Sequence, residues 1–301
     1  MRFSIWPSLS QPWADVLDAA RHAESTGWDG VYVADHFMGD GGGFGAPETP
    51  MLEATAVLAA LARDTERVRL GSLVFGVTYR HPAVLANWAA TTDHLSDGRL
   101  VLGLGAGWQE NEHEQYGIEL GTPGERITRF EEALRVIRGL LGEARTTVAG
   151  RYYTVTDALA EPKPLQAPLP LLVGGKGDRM LGVVARHADE WNMWSRPEQF
   201  ASRSADLDVR CEREGRNPST IRRSTQALVF VVDDAATGRD LVERVAPRPA
   251  IAGPPAAMAE LMGAYRDAGV DEFIVPDNTL GGGTRRAEAL DSLQAAFATV
   301  G

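Results

Sequence analysis

Eight times along the 301 residues, a short apolar run gives way to a longer stretch whose apolar positions recur at helical spacing. That alternation restricts the fold more than any other feature. "RFSIW" precedes "WADVLDAARHAESTGW", in which Val16, Leu17, Ala20 and Ala23 share one face and Gly27 supplies a stop. "GVYVAD", "RVRLGSLVFG" and "RLVLGLGAG" lead into further helical patterns in the same way. So do "LPLLVGG", "DEWNMW", "RRSTQALVFVV" and "VDEFIVP" in the second half. Eight strand-then-helix units are what a closed parallel barrel requires, so the expected fold is an α/β TIM (β/α)8 barrel with its active site at the C-terminal mouth. An open doubly wound sheet is the competing architecture.

No linker-like stretch interrupts the alternation, which predicts a single domain over 1–301 with two insertions. Residues 144–170 carry β-branched and aromatic residues around Gly150 and then prolines, the pattern of a short hairpin and an extended crossover. Residues 233–256 are polar and then Pro- and Ala-rich, and are expected to form a surface excursion. A net charge of -11 argues against nucleic acid, which needs concentrated basic surface. The lone Cys211 cannot form an internal disulfide, and no run of 18 apolar residues occurs. The expectation is a cytoplasmic protein without membrane partners that acts on a small molecule.

Function in a parallel barrel sits where strands end. The second apolar run ends in Asp35-His36, followed by five glycines within 37–45. A neutral imidazole there can take or deliver a proton, with Asp35 orienting it or anchoring the loop. A histidine bonded to neighbouring loop backbone is the alternative. "LVGGKGDRM" turns on Gly174, Gly175 and Gly177 into a helix, and its exposed amides with Lys176 suit one phosphate. A plain tight turn is the alternative.

"GLGAGW" has the spacing G-x-G-x-G with no helix directly after it, so it is not a dinucleotide fingerprint. Its glycines permit close approach of a flat ligand, and polar Gln109, Asn111 and Glu112 follow. "ENEHE" lacks the second histidine of a zinc site, and Glu110, His113 and Glu114 are expected on a solvated helix face. No metal is expected, and no hydrolase nucleophile is visible. Trp6, Trp108, Trp191 and Trp194 fall at strand ends, where they can wall a planar ring or simply pack the mouth.

The stretches "GWDGVYVADHF", "RVRLGSLVFGVTYRHPAVLANWAATTDHLSDGRLVLGLGAGWQENEHEQYG" and "PLLVGGKGDRMLGVVARHADEWN", with "GERITRFEEALRVIRGLL" and "AGVDEFIV", occur in an order and spacing that resembles the bacterial luciferase-like superfamily. The likeness is to its deazaflavin-dependent branch, which uses coenzyme F420. The resemblance implies hydride transfer between the deazaflavin and a small organic substrate, often in a homodimer. It implies an acid-histidine pair at Asp35 and His36 beside the ring, and a non-prolyl cis peptide near Leu73-Val74, after Ser72, behind it. It further implies Gly107 and Asn111 near the cofactor tail and Gly174, Gly175, Lys176 and Gly177 around a phosphate; from their strand-end positions, Trp6, Trp108 and Trp191 are expected in the substrate pocket.

An FMN-dependent monooxygenase of the same fold is the alternative, and a non-catalytic flavin-binding protein is the alternative of another class. The sugar-phosphate dehydrogenases of this branch carry a tryptophan soon after the Asp-His pair and an acid where Trp108 stands. Here Asp40 or nearby glycines hold the first place, so the acid partner is missing or comes from elsewhere.

Overall fold

The computed structural model describes residues 1–300. In chain order its elements are β1 (Arg2–Trp6), α1 (Trp13–Thr26), β2 (Gly30–Val33), α2 (Ala54–Asp64), β3 (Arg69–Ser72), β4 (Phe75–Gly76), α3 (Pro82–Leu95) and β5 (Leu100–Gly105). There follow α4 (Glu110–Tyr116), α5 (Pro123–Gly142), β6 (Thr146–Ala149), β7 (Thr154–Ala158), β8 (Leu171–Gly174), α6 (Asp178–His187), β9 (Glu190–Trp194) and α7 (Pro197–Arg213). The chain ends with β10 (Arg222–Gln226), β11 (Leu228–Val231), α8 (Ala235–Arg244), β12 (Ala250–Gly253), α9 (Pro255–Asp267), β13 (Glu272–Pro276) and α10 (Gly283–Phe297). The core strands all run parallel and alternate with helices, so the chain is an α/β protein of the TIM-barrel type.

The chain packs as two compact units. The first comprises 1–8, 12–32 and 175 onward. In it β1 lies between β2 and β13, β13 lies beside β10, and β10 beside β9, with Trp6 opposite Pro276 and Gln226 opposite Trp194. β2 is buried at all four positions because a parallel strand is covered on both faces, which is why "GVYV" shows no alternation. α1 ends at Gly27, whose φ of 89° is the left-handed stop expected there. The segment 233–256 is more regular than expected: it builds α8 and β12, and β12 pairs in parallel with β11 in a small separate sheet. Its alanines and prolines hid a further strand–helix repeat, since Ala250 and Ile251 are buried strand residues without β-branched neighbours on both sides.

The second unit spans 9–11 and 33–174. Here β5 pairs with β3, β4 and β8. β3 and β4 are one strand interrupted at Leu73-Val74, and the peptide bond between those residues is cis, as the resemblance implied. The segment after α5 forms the expected hairpin, β6 with β7 antiparallel. Its turn is clasped by Glu132, whose carboxylate accepts from the backbone amides of Arg151, Tyr152 and Tyr153 at 2.9, 2.7 and 3.2 Å. α5 starts where Thr122 and Glu125 satisfy each other's amides in a capping box. Among the described residues, no helix is long and apolar enough to cross a membrane, and no group of three metal-ligating side chains occurs.

Candidate active site

The end of β2 delivers Asp35 and His36 into the second unit, where the two side chains part. Asp35 is 1% exposed and takes a two-pronged bond from Arg80, Nη1 to Oδ2 at 2.7 Å and Nη2 to Oδ1 at 2.9 Å, with Gly76 N at 3.1 Å. Burial pushes its carboxyl up from the ordinary value, and the bonds and charge of Arg80 oppose that. Burial pulls the guanidinium down, but its bonds to Asp35 and Glu53 carry it upward and keep it charged. With both oxygens engaged, Asp35 ties the strand end to β4. It makes no bond to His36, so of its two expected roles it anchors the loop and does not orient the imidazole.

The orienting carboxylate is Glu112, on α4. His36 Nδ1 donates to Glu112 Oε1 at 3.0 Å, Phe37 N donates to Oε2 at 2.9 Å, and the Tyr79 hydroxyl donates to Oε1. Burial of Glu112 pushes its carboxyl up, but the bonds from His36, Phe37 and Tyr79 outweigh it, and the net shift is downward. Tyr79 is pushed up by burial and by its bond to that carboxylate, so its hydroxyl stays protonated and donates. An ionised acceptor requires hydrogen on Nδ1, which leaves the Nε2 of neutral His36 with its lone pair free to exchange a proton. Phe44 packs 4.6 Å from the imidazole centroid and Trp108 stands edge-on at 5.5 Å.

The short helix carrying "ENEHE" was expected to be solvated. Glu110 and Glu114 are exposed, but Glu112 and His113 are buried. His113 bonds the Gln109 carbonyl at 2.6 Å and Thr78 Oγ1 at 2.8 Å. A helix of seven residues shows too little periodicity for its buried face to stand out among three glutamates and a histidine. The sequence signals for Glu112 were its place among the polar residues after the glycine strand and the missing acid partner; it stands four positions beyond Trp108.

Behind this cluster, Ser72 Oγ donates to Gly103 O at 2.8 Å and accepts from Gly103 N at 3.0 Å. The glycines of "GLGAG" make room for the chain itself: a Cβ on Gly103 would lie 1.8 Å from Ser72 O, and one on Gly105 would lie 2.7 Å from Val74 Cγ2. Gly174 faces Val74 as well, with both methyls 3.1 Å from its Cβ position. Val74, half-buried, is thereby held out as an apolar surface, and Leu73 is fastened through its amide to Val33 O at 2.7 Å. Gly107 has φ 83° and packs on Thr78, while Asn111 donates to Gly39 O at 2.8 Å, so both shape the loops around His36. The glycine-rich loop is ordered by Asp40, which accepts from Gly42 N and Phe44 N at 2.9 and 2.8 Å and so sets Phe44 on the imidazole.

Gly175, Lys176 and Gly177 belong to the first unit. Gly175 has φ 134°, donates to Asn192 O at 2.9 Å and accepts from Trp191 Nε1 at 2.7 Å. Lys176 and Gly177 are exposed, and no side chain caps α6, so its first amides remain available to an anion. Arg203, absent from the sequence-based reading, reaches the Lys176 carbonyl at 2.6 Å and Asp178 at 2.9 Å. Trp191 was expected in the substrate pocket. It is fully buried and stacked on Phe200 of α7 at 5.4 Å, because alternate residues of β9 face opposite sides and Trp191 faces the helices. Trp6 and Trp194, on inward positions, meet at 5.7 Å.

Within the second unit, the apolar surface at Val74, bounded by glycines that admit nothing larger, fits a flat ring; within the first, the uncapped amides of α6 beside Lys176 fit an anion. Comparison with known proteins agrees with that geometry. An F420-dependent glucose-6-phosphate dehydrogenase of Microbacterium testaceum is 37% identical over 179 residues, 58% of this chain and 51% of that protein. The chain thus spans about half the length of the curated relatives it matches. Among solved structures, an F420-dependent secondary alcohol dehydrogenase in complex with an F420-acetone adduct superposes with a TM-score of 0.87 at 19% identity, covering 100% of this chain and 99% of that one. A monooxygenase of Streptomyces bottropensis superposes with a TM-score of 0.82 at 21% identity, covering 99% of each chain. At such identities the likeness shows the fold. The family model described as luciferase-like monooxygenase matches residues 1–247, and the chain belongs to that family.

Proposed function

We propose that the protein is a coenzyme F420-dependent oxidoreductase that moves a hydride between the deazaflavin and a small organic substrate. The observation that carries the reading is the Glu112–His36 pair, which fixes the imidazole so that Nε2 is the nitrogen exchanging protons. The F420 dependence named for the Microbacterium relative and for the alcohol dehydrogenase supports the choice of cofactor. When bound, a deazaflavin supplies hydride chemistry at C5 and, lacking the N5 of a flavin, does not support oxygenation.

The chain's own residues do the rest. In the second unit Val74 suits the face of the ring, and in the first the amides at the start of α6 with Lys176 suit a phosphate. His36 Nε2 takes the hydroxyl proton when a substrate is oxidised and returns it when a carbonyl is reduced. Phe44 and Trp108 limit water around the imidazole. Asp35 holds the loop in place through Arg80.

An FMN-dependent monooxygenase is the second reading, favoured by the description of the matching family. One phosphate accompanies either ring, so the turn at Gly175–Gly177 serves both. Titration of the purified protein with deazaflavin and with FMN, oxidised and reduced, followed by fluorescence, separates them. Tighter binding of the deazaflavin is expected; tighter binding of FMN, with oxygen-dependent turnover, sinks the F420 reading. Tight binding with no turnover of any kind would make the chain a flavin-binding protein.

A further inference from the structure

We infer that the strand ends of the first unit bind a neutral, hydroxyl-bearing organic molecule, read by Asn192 and Gln226 beside the paired indoles of Trp6 and Trp194. Its identification as the substrate rests on the function proposed above. The orientation of the two amides follows from the hydrogens available. Ser224 Oγ donates its one hydrogen to the Trp191 carbonyl at 3.3 Å, so it can only accept from Asn192, whose Nδ2 lies 2.9 Å away. That fixes the Asn192 nitrogen, and its second hydrogen goes to Gln226 Oε1 at 2.8 Å. Gln226 Nε2 is left a donor without a partner, and Asn192 Oδ1 an acceptor without one.

The two residues are only 2% and 3% exposed, yet neither atom is among the fully enclosed polar atoms that lack partners. Each atom therefore keeps some exposed surface, Gln226 at the end of β10 and Asn192 within β9. An uncommitted donor beside an uncommitted acceptor, each in a nearly buried residue, is satisfied by a group that does both. A hydroxyl accepts from Nε2 and donates to Oδ1, whereas a ketone carbonyl makes one bond and a phosphate ester cannot donate to Oδ1 when ionised.

Position and charge agree. Gln226 lies opposite Trp194 across β9 and β10, and Trp194 meets Trp6 at 5.7 Å, so an apolar arm next to the hydroxyl has indole surface to cover. Along the same strand faces, earlier inward positions hold Glu190, paired with Arg222 at 3.5 Å, and Glu272, which accepts from Ser4 and Tyr32. None of Trp6, Asn192, Trp194, Ser224 and Gln226 is cationic, so this cluster offers an anion no counter-charge.

The imide edge of a deazaflavin or flavin ring offers the same donor and acceptor, so cofactor affinity is measured in parallel. Wild type and Gln226→Met, which keeps the side-chain volume, are titrated with cyclohexanol, cyclohexanone and cyclohexyl phosphate by tryptophan fluorescence, and with deazaflavin by its own fluorescence. The expected result is saturable binding of cyclohexanol, weaker binding of the ketone and none of the phosphate. In Gln226→Met, cyclohexanol binding should weaken at least about ten-fold while deazaflavin affinity holds within about two-fold. Unchanged cyclohexanol affinity in the variant, preference for the phosphate, or loss of deazaflavin affinity alone overturns the inference. Failure of wild type to bind deazaflavin at all would remove the proposed function, while the cyclohexanol titrations would still judge the site.

Discussion

Glu112 and His36 stand 76 positions apart in sequence and 3.0 Å apart in space, joined through Oε1 and Nδ1. This one contact sets the tautomer of His36, and therefore, on the proposed function, the nitrogen that exchanges a proton. Glu112→Gln keeps the shape but loses the ionised acceptor, and an amide can present its own NH₂ to Nδ1. The expected effect is a fall in kcat of about ten- to a hundred-fold with cofactor affinity little changed, and partial recovery in Glu112→Asp. Steady-state kinetics together with a fluorescence titration of cofactor checks it; an equal loss in both quantities would mean Glu112 only shapes the site.

Arg80 is the counter-charge of Asp35, whose side chain has no exposure. Arg80→Met leaves that carboxylate buried without a cation and also removes the partner of Glu53 at the start of α2. A loss of about 3–5 kcal/mol in urea unfolding is expected, and the double variant Asp35→Asn, Arg80→Met should recover part of it. A loss below about 1 kcal/mol would show that the pair contributes little.

Glycines around the bulge should divide by what their Cβ would strike. Gly103→Ala places a methyl against the Ser72 backbone carbonyl, which cannot yield, and little folded protein is expected. Gly105→Ala strikes one methyl of Val74, a side chain that can turn, so the fold should survive while the apolar surface shifts. Circular dichroism with cofactor titration would test the contrast: a folded Gly105→Ala variant with wild-type cofactor affinity would show that Val74 does not back the ring.

Acid stability should report Glu132 without involving His36. Burial pushes its carboxyl up, but the three backbone amides of the hairpin turn outweigh that, so its folded value lies below the ordinary 4.5. A lowered folded value means the stabilisation is complete above about 4.5 and is lost as pH falls through the folded value. Glu132→Gln should therefore be less stable than wild type near pH 7, with the gap narrowing as pH drops below 4.5, read from urea midpoints at successive pH values. A gap independent of pH would assign the effect to shape.

The chain by itself determined the architecture. Eight apolar runs, each followed by helical spacing, specify a parallel α/β fold because burial on both strand faces and one helix face leaves a local period in the sequence. Asp35-His36 and the hairpin around Gly150 were readable for the same reason, since strand ends and turns are local, whereas the cis peptide at Leu73-Val74 followed only from the family resemblance. The tertiary structure alone decided the partners. Nothing near Asp35 in sequence announces Arg80, nothing near His36 announces Glu112, and the burial of Trp191 against Phe200 depends on which face of β9 meets α7. Hydrogen bonds and ion pairs between residues tens of positions apart have no sequence period. They exist only after strands have brought distant side chains within about 3 Å, and the partners of His36, Asp35, Asn192 and Gln226 were fixed at that step.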